Sequence, residues 1–421
     1  MNEWRRIDSI ASVRRGASPR PIGDPRYFGG DVGWVRIVDV TGSKRFLRET
    51  EQYLSPLGES LSVRVNPGDL VMSICGTLGR PIVIDMPACI HDGFVQFSNL
   101  RDTDTSFLFY ALQHAEPAFC AMGQPGTQTN LNTSLVGRHV IFCPEKREQR
   151  RIAEILSTLD ETIEQTEALI AKYQQIKAGL MHDLFSCGVT PDGKLRPTHS
   201  EAPQLYKESP LGWIPKEWDW DYLSNLTLKI VDGVHHTPEY VEHGIPFVTV
   251  KNLTACSGID LTDLNHVTPW DHAMFLKRAD PKPGDVLVTK DGTLGVSRIV
   301  EDQHPEFSIF VSVAQLRPIT TRLRPWMLHC FFDSGAYERQ LGRLSAGTGL
   351  KHIHLEHFRR FRIPLPSPLE QDAISEVARS VELVLSTEED HRKGLLKQKH
   401  GLMHDLLTGR VRVKVAETEA A

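Results

Sequence analysis

The sequence predicts an α+β protein with an internal repeat, in which two similar mixed α/β domains are each followed by one long helix. Two observations carry this prediction. Four short segments recur in the same order at an almost constant offset along the chain, and a long stretch with heptad spacing ends each copy. A chain of 421 residues has room for two or three domains, each large enough for its own core.

The repeat is collinear along almost the whole chain. The matched segments are residues 4–10 with 220–226, 67–79 with 283–295, 148–149 with 370–371, and 179–184 with 401–406. The last pair reads Gly-Leu-Met-His-Asp-Leu in both copies, and the third pair reads Glu-Gln. A period of this length is far too long for a solenoid, so each copy is expected to contain a whole domain.

Residues 1–144 and 210–366 are expected to form the two mixed domains. Short apolar runs bounded by Gly, Pro and Asp predict strands, for example at 34–38 and 69–74, and residues 106–115 predict a helix. Each domain contains a Gly-Thr-Leu-Gly turn, at 76–79 and 292–295, where glycine is expected to supply positive φ between two strands. Residues 186–209, with a Pro-Asp-Gly segment, a further proline at 197 and little apolar content, are expected to be a linker.

Residues 145–185 and 367–407 are expected to be the long helices, followed by a tail at 408–421. Apolar residues at heptad spacing define the predicted seam of each helix. The seam residues are Ile152, Leu156, Leu159, Ile163, Ile170, Tyr173 and Leu180 in the first helix, and Ile374, Val381, Leu385, Leu395 and Leu402 in the second. A lone helix of roughly 60 Å needs a partner. The partner is either the repeated helix or the neighbouring domain. In the second helix, the polar residues Glu388 and Arg392 interrupt the middle of the apolar seam.

Composition and motifs argue against several classes of protein. Seven scattered cysteines without a Cys-x-x-Cys pair favour a reducing cytosol, and neither a membrane-spanning run nor a signal peptide is found. The chain lacks the phosphate-binding Gly-x-x-x-x-Gly-Lys-Ser/Thr loop, the Gly-x-Gly-x-x-Gly turn and the Asn-Pro-Pro-aromatic segment of base methyltransferases. We therefore expect no catalytic residues in this chain.

The histidines suggest a metal site, but we expect none. His352, His354 and His357 cluster in sequence, but no cysteine or carboxylate set completes the site, and the matching segment 129–134 of the first copy has no histidine. His182 and His404 lie at the predicted helix ends, where imidazole suits the last carbonyls and the helix dipole.

Taken together, these segments resemble the DNA-specificity subunit of type I restriction-modification systems, from Trp4 to about Val413. Residues 144–152 and 363–371 resemble the entries to the spacer helices of that family, and the two Gly-Leu-Met-His-Asp-Leu segments resemble the helix exits. Residues 211–215 with Trp218 resemble the opening of its second domain. The first copy departs from this pattern, because it starts at Trp4 without a Gly-Trp-Ile-Pro lead.

The resemblance implies two target recognition domains separated by an antiparallel coiled-coil spacer, related by an approximate two-fold axis. Each domain would read one part of a split double-stranded DNA target. The subunit itself would be non-catalytic and cytoplasmic, with no membrane partner. Two methyltransferase subunits would dock on the helices and methylate adenine, and restriction-translocase subunits would join them. S-adenosylmethionine, Mg²⁺ and ATP would be bound only by those partners, so that this chain has no cofactor.

Residues that read DNA bases are sought among polar side chains in predicted loops, because Arg, Lys, Asn and Gln are common base readers. The candidates are Arg14, Arg15, Lys44, Arg45, Gln124, Gln128 and Asn130 in the first domain, and His235, His236, Lys251, Asn252, Lys290 and Lys351 in the second. The alternative for each is a solvated surface residue. Glu148 and Gln149 either cap the start of the helix or belong to the docking face.

Charge argues that neither domain binds DNA tightly alone. The net charge of the chain is −5, and residues 1–144 carry 14 basic and 14 acidic side chains, against 17 and 18 in residues 210–366. Phosphate affinity grows with the number of positive contacts, so the methyltransferase subunits are expected to supply much of the electrostatic attraction.

Two other classes of function stay open from the residues alone. A self-sufficient nuclease or methyltransferase with an unrecognised site would be active as an isolated chain. A coiled-coil scaffold that binds only proteins would show no dependence on DNA sequence in any complex.

Overall fold

The structure, a computed structural model, describes residues 3–122, 130–345 and 351–414. The chain divides into two compact units. The N-terminal unit comprises Met1–Gln165 with Lys393–Ala421, and the C-terminal unit comprises Thr166–Arg392. Each unit therefore contains one mixed domain and a part of both long helices.

The N-terminal unit is built from short strands and few helices. Its strands are β1 (Trp4–Arg6), β2 (Ser12–Arg15), β3 (Phe28–Val35), β4 (Phe46–Leu47), β5 (Tyr53–Leu54), β6 (Val63–Val65), β7 (Leu70–Ser73), β8 (Pro81–Ile84), β9 (Ala88–Ile90), β10 (Phe94–Ser98) and β11 (Val140–Phe142). Its helices are α1 (Ile7–Ile10), α2 (Ile37–Gly42), α3 (Pro56–Ser60), α4 (Thr105–Ala121), α5 (Thr133–Arg138) and the first part of α6 (Lys146–Ser186). The strands form a five-stranded sheet in the order β2-β10-β7-β8-β4, a four-stranded sheet β5-β3-β9-β6 and the pair β1-β11.

The C-terminal unit repeats this plan with longer insertions. Its strands are β12 (Tyr206–Ser209), β13 (Gly212–Pro215), β14 (Asp219–Tyr222), β15 (Thr227–Asp232), β16 (Ile245–Val248), β17 (Asn265–Val267), β18 (Val286–Thr289), β19 (Ser297–Ile299), β20 (Ser308–Ile309), β21 (Val313–Pro318) and β22 (Arg362–Leu365). Its helices are α7 (Leu223–Leu226), α8 (Val250–Thr254), α9 (Pro269–Phe275), α10 (Pro325–Phe332), α11 (Gly335–Ser345), α12 (Leu355–Arg360) and most of α13 (Pro368–Leu407). The strand orders are β15-β21-β18-β19 and β17-β16-β20, with the pairs β12-β13 and β14-β22.

The central strand of each main sheet is buried on both faces, which explains its uninterrupted apolar sequence. Alternate residues of a strand point to opposite faces. In β7, Leu70 and Met72 join the core formed with α4 and the long helices, whereas Val71 joins the core between the two sheets. In β18, Val286 likewise packs with α10, whereas Leu287 packs on the side of β16 and β20. Each unit thus has two cores, one on either side of its main sheet.

The predicted repeat is confirmed by equivalent buried hydrogen bonds. The Gln149 side-chain oxygen accepts from the backbone N–H of Asp104 at 2.8 Å, and its amide donates to the carbonyls of Asp102 (3.0 Å) and Pro144 (2.7 Å). Gln371 makes the same three bonds in the C-terminal unit. It accepts from Arg324 N–H at 2.9 Å and donates to the carbonyls of Arg322 (2.9 Å) and Pro366 (3.1 Å).

The two long helices pair antiparallel within each unit. In the N-terminal unit, Asp160 of α6 lies 2.5 Å from Lys399 of α13, and further along, Leu159 and Ile163 cluster with Leu395. In the C-terminal unit, the Lys177 ammonium lies 2.6 Å from the Glu382 carboxylate. The partner of each helix is therefore the repeated helix as well as the neighbouring domain.

The predicted seam residues lie on the buried side of the pair. Ile152, Leu156 and Ile374 are fully buried, whereas Tyr173, Leu180, Val381 and Leu402 are half-buried. Towards the helix ends the deepest positions move by one residue, to Met181 with Leu184 and to Met403 with Leu406. These residues of the repeated Gly-Leu-Met-His-Asp-Leu segment pack into the main core of their unit, and His182 and His404 stay exposed.

The segment that follows α6 is ordered against the C-terminal unit. Val189 pairs with Leu195 in an isolated bridge, and Arg196 forms an ion pair with the buried carboxylate of Glu370. β12 then forms a hairpin with β13, so the predicted linker contributes structure of its own. None of the helices in the described residues is long and apolar enough to cross a membrane.

The Gly-Thr-Leu-Gly turns confirm the expected backbone: Gly76 and Gly79 have φ of 66° and 75°, and Gly292 and Gly295 have 68° and 83°. A Cβ at Gly295 would collide with the buried ring of Tyr337, whereas a Cβ at Gly292 would meet open space. Gly295→Ala is therefore expected to lower the free energy of unfolding by about 2–4 kcal/mol, from backbone strain and overpacking together. Gly292→Ala, the control, should cost only the strain, about 1–2 kcal/mol. Equal losses in urea unfolding would contradict the packing part of this prediction.

Candidate nucleic-acid interface

In the N-terminal unit, Arg14 and Arg15 lie exposed at the end of β2, and Asn130 is exposed before α5. The Arg15 Nε donates to the carbonyl oxygen of Asp92 at 2.7 Å. The Asp92 carboxylate accepts from Ser18 Oγ at 2.5 Å and from Arg20 at 2.9 Å. Gln124 and Gln128 lie outside the described residues. Arg14 and Arg15 therefore lie on an exposed polar surface at the end of β2, where Asp92 bonds to Arg15, Ser18 and Arg20.

Lys44 and Arg45 lie elsewhere, beside the long helix. Arg45 is half-buried and donates to Ser106 Oγ at 2.8 Å and to the Tyr110 hydroxyl at 3.3 Å, with its guanidinium over the Phe109 ring. Lys44 is exposed and lies 4.0 Å from Glu164. Arg45 therefore uses Nη1 and Nη2 inside the unit, and a DNA contact there stays a prediction.

Two of the predicted residues in the C-terminal unit are buried structural residues. Asn252 is 3% exposed, and its side chain accepts from Thr249 N–H at 2.9 Å and donates to the Asp263 carbonyl at 3.0 Å. Lys290 is 3% exposed, and its ammonium lies 3.0 Å from the Asp232 carboxylate. Neither side chain can reach a DNA base, so both predictions are corrected.

The other predicted residues of the C-terminal unit are exposed. Lys251 forms an ion pair with Asp263, and Lys351 precedes His352. The His236 ring contacts the Phe275 ring edge to face. His352 contacts Asp291, the residue immediately before the Gly-Thr-Leu-Gly turn. The surface around that turn therefore carries Lys351 and several histidines.

A cluster of four side chains lies at the end of β15, and we call it the Asp232 cluster. It consists of Asp232, His235, Arg278 and Lys290. Asp232 is 2% exposed, and its carboxylate receives His235 Nε2 at 3.1 Å, Lys290 Nζ at 3.0 Å and the Arg278 guanidinium. Burial opposes ionisation of Asp232, but hydrogen bonds from Arg278, His235 and Lys290 outweigh burial and hold its pKa below the ordinary value. The structure thus brings the predicted residues His235 and Lys290 together on one carboxylate.

Arg278 was not predicted from the sequence. It follows α9 in a segment without a motif, and its partner Asp232 lies far from it along the chain, at the end of β15. The internal repeat contains a signal that could have identified Arg278. Position 278 aligns with Ser62 of the first copy, so one copy has arginine where the other has serine.

The histidines of the C-terminal unit do not assemble a metal site around the turn in the described residues. The rings of His352 and His354 lie 4.5 Å apart, those of His354 and His357 lie 5.4 Å apart, and His354 caps the start of α12. In the part of the chain that the structure describes, the group with metal-ligand spacing is His329, Asp333 and Glu382. The ammonium of Lys177 lies 2.6 Å from each of the two carboxylates and supplies the positive charge there.

Glu148 and Gln149 are internal residues whose side chains, in the described part of the chain, bond to groups outside α6, so capping of that helix by them is not observed. Gln149 is fully buried, and Glu148 accepts from Arg412 at 2.6 Å and from Val413 N–H at 3.1 Å. Both residues anchor the start of α6 to its own unit, so they do not form a docking face.

The fold defines a class of protein, an internally duplicated α/β chain whose two long helices pair antiparallel. Comparison with known proteins confirms the resemblance to specificity subunits of type I restriction-modification systems. Residues 1–175 match the family described as Type I restriction modification DNA specificity domain.

Relatives with this description cover most of the chain. The type I restriction enzyme EcoBI specificity subunit of Escherichia coli is 25% identical over 396 residues, 90% of this chain and 79% of the relative. The MjaVIII specificity subunit of Methanocaldococcus jannaschii is 23% identical over 358 residues, 83% of this chain and 80% of the relative. Among solved structures, the S subunit of a type I system from M. genitalium is 17% identical, with a TM-score of 0.58 over 96% of this chain and 95% of that chain. The last likeness supports the fold, two mixed domains with a helical spacer.

Proposed function

We propose that this chain is the DNA sequence-specificity subunit of a type I restriction-modification complex, and that its two units each read one part of a bipartite DNA target. The observation that carries the proposal is the duplication. The buried scaffold is the same in both units, down to the three hydrogen bonds of Gln149 and Gln371, whereas the exposed ends of β2 and β15 carry different side chains. Two copies of one scaffold with different surfaces suit the recognition of two different half-sites.

We further propose that the chain is non-catalytic and cytoplasmic, and that chemistry belongs to its partners. Two methyltransferase subunits would methylate adenine with S-adenosylmethionine, and restriction-translocase subunits would supply ATP-dependent cleavage with Mg²⁺. The nearly equal numbers of acidic and basic residues in each domain favour partners that contribute to phosphate binding.

The test is co-expression of the chain with its methyltransferase subunit in a host without other adenine methylation, followed by long-read detection of methylated adenine. We expect one two-part motif with a fixed gap, methylated only when both proteins are present. The control is the methyltransferase subunit expressed alone. Methylation of the same sites without this chain, or an assembled complex that methylates no site, would contradict the proposal.

A further inference from the structure

Arg278 is held in one orientation at the surface of the C-terminal unit. Its Nε donates to the carbonyl oxygens of Asp232 and Gly233 at 3.1 and 3.0 Å, and its Nη2 pairs with the Asp232 carboxylate. In the described part of the chain, Nη1 makes no hydrogen bond, and the side chain is 46% exposed. Nε and Nη2 of the guanidinium are therefore fixed by the protein, and Nη1 faces outward.

The support behind Arg278 is itself buried. The Asp232 side chain is 3% exposed, and the 4% exposed ammonium of Lys290 lies 3.0 Å from its second oxygen. Because Lys290 already pairs with Asp232, the Asp232–Lys290 pair is neutral and the charge of Arg278 remains available to a ligand. His235 Nε2 lies 2.7 Å from Nη2, at hydrogen-bond distance, so Nη2 is held by both Asp232 and His235 and the free donors are those of Nη1. A guanidinium fixed in this way loses little conformational freedom when it binds a planar acceptor pair.

The other unit has a serine at the same place in the fold. Ser62 N–H donates to the Glu59 carbonyl at 3.1 Å, and Arg278 N–H donates to the Phe275 carbonyl at 3.0 Å, with donor and acceptor at corresponding positions of the repeat. The Ser62 hydroxyl donates to the Ala17 carbonyl at 2.7 Å, next to the end of β2, as Arg278 does next to the end of β15. The scaffold bond is shared, so the arginine adds something that the fold itself does not require.

We propose that Arg278 is a specificity-determining residue that reads a guanine in the half-site of the C-terminal unit, with Asp232 as its positioning residue. This inference rests on the proposed function. The two N–H donors of Nη1, held in a fixed direction, can bond to the adjacent N7 and O6 acceptors of guanine in the major groove. A phosphate contact requires positive charge but no fixed direction, and this site provides the direction.

The test uses the complex with the methyltransferase subunits and the Arg278→Ser variant, which introduces the residue that the N-terminal unit has at this position. Methylation is measured by long-read sequencing on a library in which every position of the motif is varied. We expect selectivity for guanine to fall about 5- to 150-fold at one position of one half-site. The other half-site is the internal control and should be unchanged.

Two further variants separate a base contact from a charge effect. Arg278→Lys keeps the positive charge but loses the Nε and Nη2 bonds that fix the direction of the donors, so it should also relax the same position. Arg322→Ala removes an arginine of the same exposure, 47%, which pairs with Asp221 elsewhere in the unit, and it should leave the motif unchanged. Weaker methylation of all sequences with an unchanged motif, restored by Arg278→Lys, would overturn the inference in favour of a phosphate contact.

The outcomes also distinguish this inference from the proposed function. If the wild-type complex methylates no two-part motif, the proposed function fails. If the wild-type complex methylates a two-part motif and the Arg278→Ser complex methylates the same motif, only the role of Arg278 is overturned.

Discussion

Replacement of Gln371 by leucine is expected to lower the free energy of unfolding of the C-terminal unit by about 3–5 kcal/mol. The Gln371 side chain is 1% exposed and joins the start of α13 to the segment before α10 through three hydrogen bonds to backbone groups. Leucine has a similar size but satisfies none of these groups. The N–H of Arg324 and the carbonyls of Arg322 and Pro366 would lose their partner in a buried place, at roughly 1–3 kcal/mol for each unsatisfied group.

The measurement is hydrogen exchange resolved along the chain, together with urea unfolding. Protection should fall in the C-terminal unit for Gln371→Leu and in the N-terminal unit for Gln149→Leu, since each glutamine bonds within its own unit. Gln174→Leu on the exposed surface of α6 is the control and should change stability by less than about 0.5 kcal/mol. A loss below about 1 kcal/mol at both buried positions would show that these hydrogen bonds do not anchor the helices.

The long helices and the repeat could be predicted from the sequence because their signals are local and periodic. Heptad spacing places residues on one side of a helix whatever the partner is. The move of the buried side from Leu180 to Met181 could not be predicted, because it depends on the core of the domain against which the helix end packs. The spacing of apolar residues along the helix contains no information about a tertiary contact of this kind.

The surface residues were harder to predict, because a charged side chain can find its partner far along the chain. Lys290, which follows β18, pairs with Asp232 at the end of β15, and Arg45 before β4 donates to Tyr110 in α4. The repeat contains part of the missing information. Lys290 aligns with the buried Ile74 of the first copy, which marks the position as internal.

The counterpart of Asn252 is identified by the structure, because the offset of 216 residues aligns Asn252 with Arg36 and not with Asp39. The Asn252 side chain accepts from Thr249 N–H at the start of α8, and Asp39 accepts from Arg36 N–H at the start of α2 at 2.7 Å. Both residues occupy the third position of a short helix after the first strand of the smaller sheet. Positions where the copies share a structural role carry the scaffold, and positions where they differ, such as 62 and 278, are the better candidates for reading DNA.

Replacement of Lys177 by methionine is expected to destabilise the C-terminal unit by about 3–5 kcal/mol at neutral pH. The Lys177 ammonium lies 2.6 Å from the carboxylates of both Asp333 and Glu382, and Glu382 is also 2.8 Å from His329 Nε2. Methionine fills a similar volume but leaves the poorly solvated carboxylate of Glu382 and the more exposed carboxylate of Asp333 without this cation. Asp160 and Lys399 form the equivalent pair at the corresponding positions of the N-terminal unit, so Lys399→Met should act in the same direction there.

The loss caused by Lys177→Met is expected to shrink at acid pH. Burial opposes ionisation of Glu382, but His329 and Lys177 outweigh it and lower its pKa to about 2, from 4.5. In the wild type, the stabilisation from Glu382 is therefore complete above pH 4.5 and is lost as the pH falls towards 2. Without Lys177 the carboxylates protonate more easily, so the variant has less of this stabilisation to lose.

The measurement is urea unfolding of wild type and Lys177→Met between pH 7 and pH 2.5, followed by hydrogen exchange of the C-terminal unit. The difference in unfolding free energy should decrease mainly as the pH falls below 4.5. Lys172→Met, on the exposed surface of the same helix, removes an equal charge and should show neither the loss nor its pH dependence. A difference for Lys177→Met that is the same at pH 2.5 and pH 7 would mean that lost packing, and not the uncompensated carboxylates, causes the destabilisation.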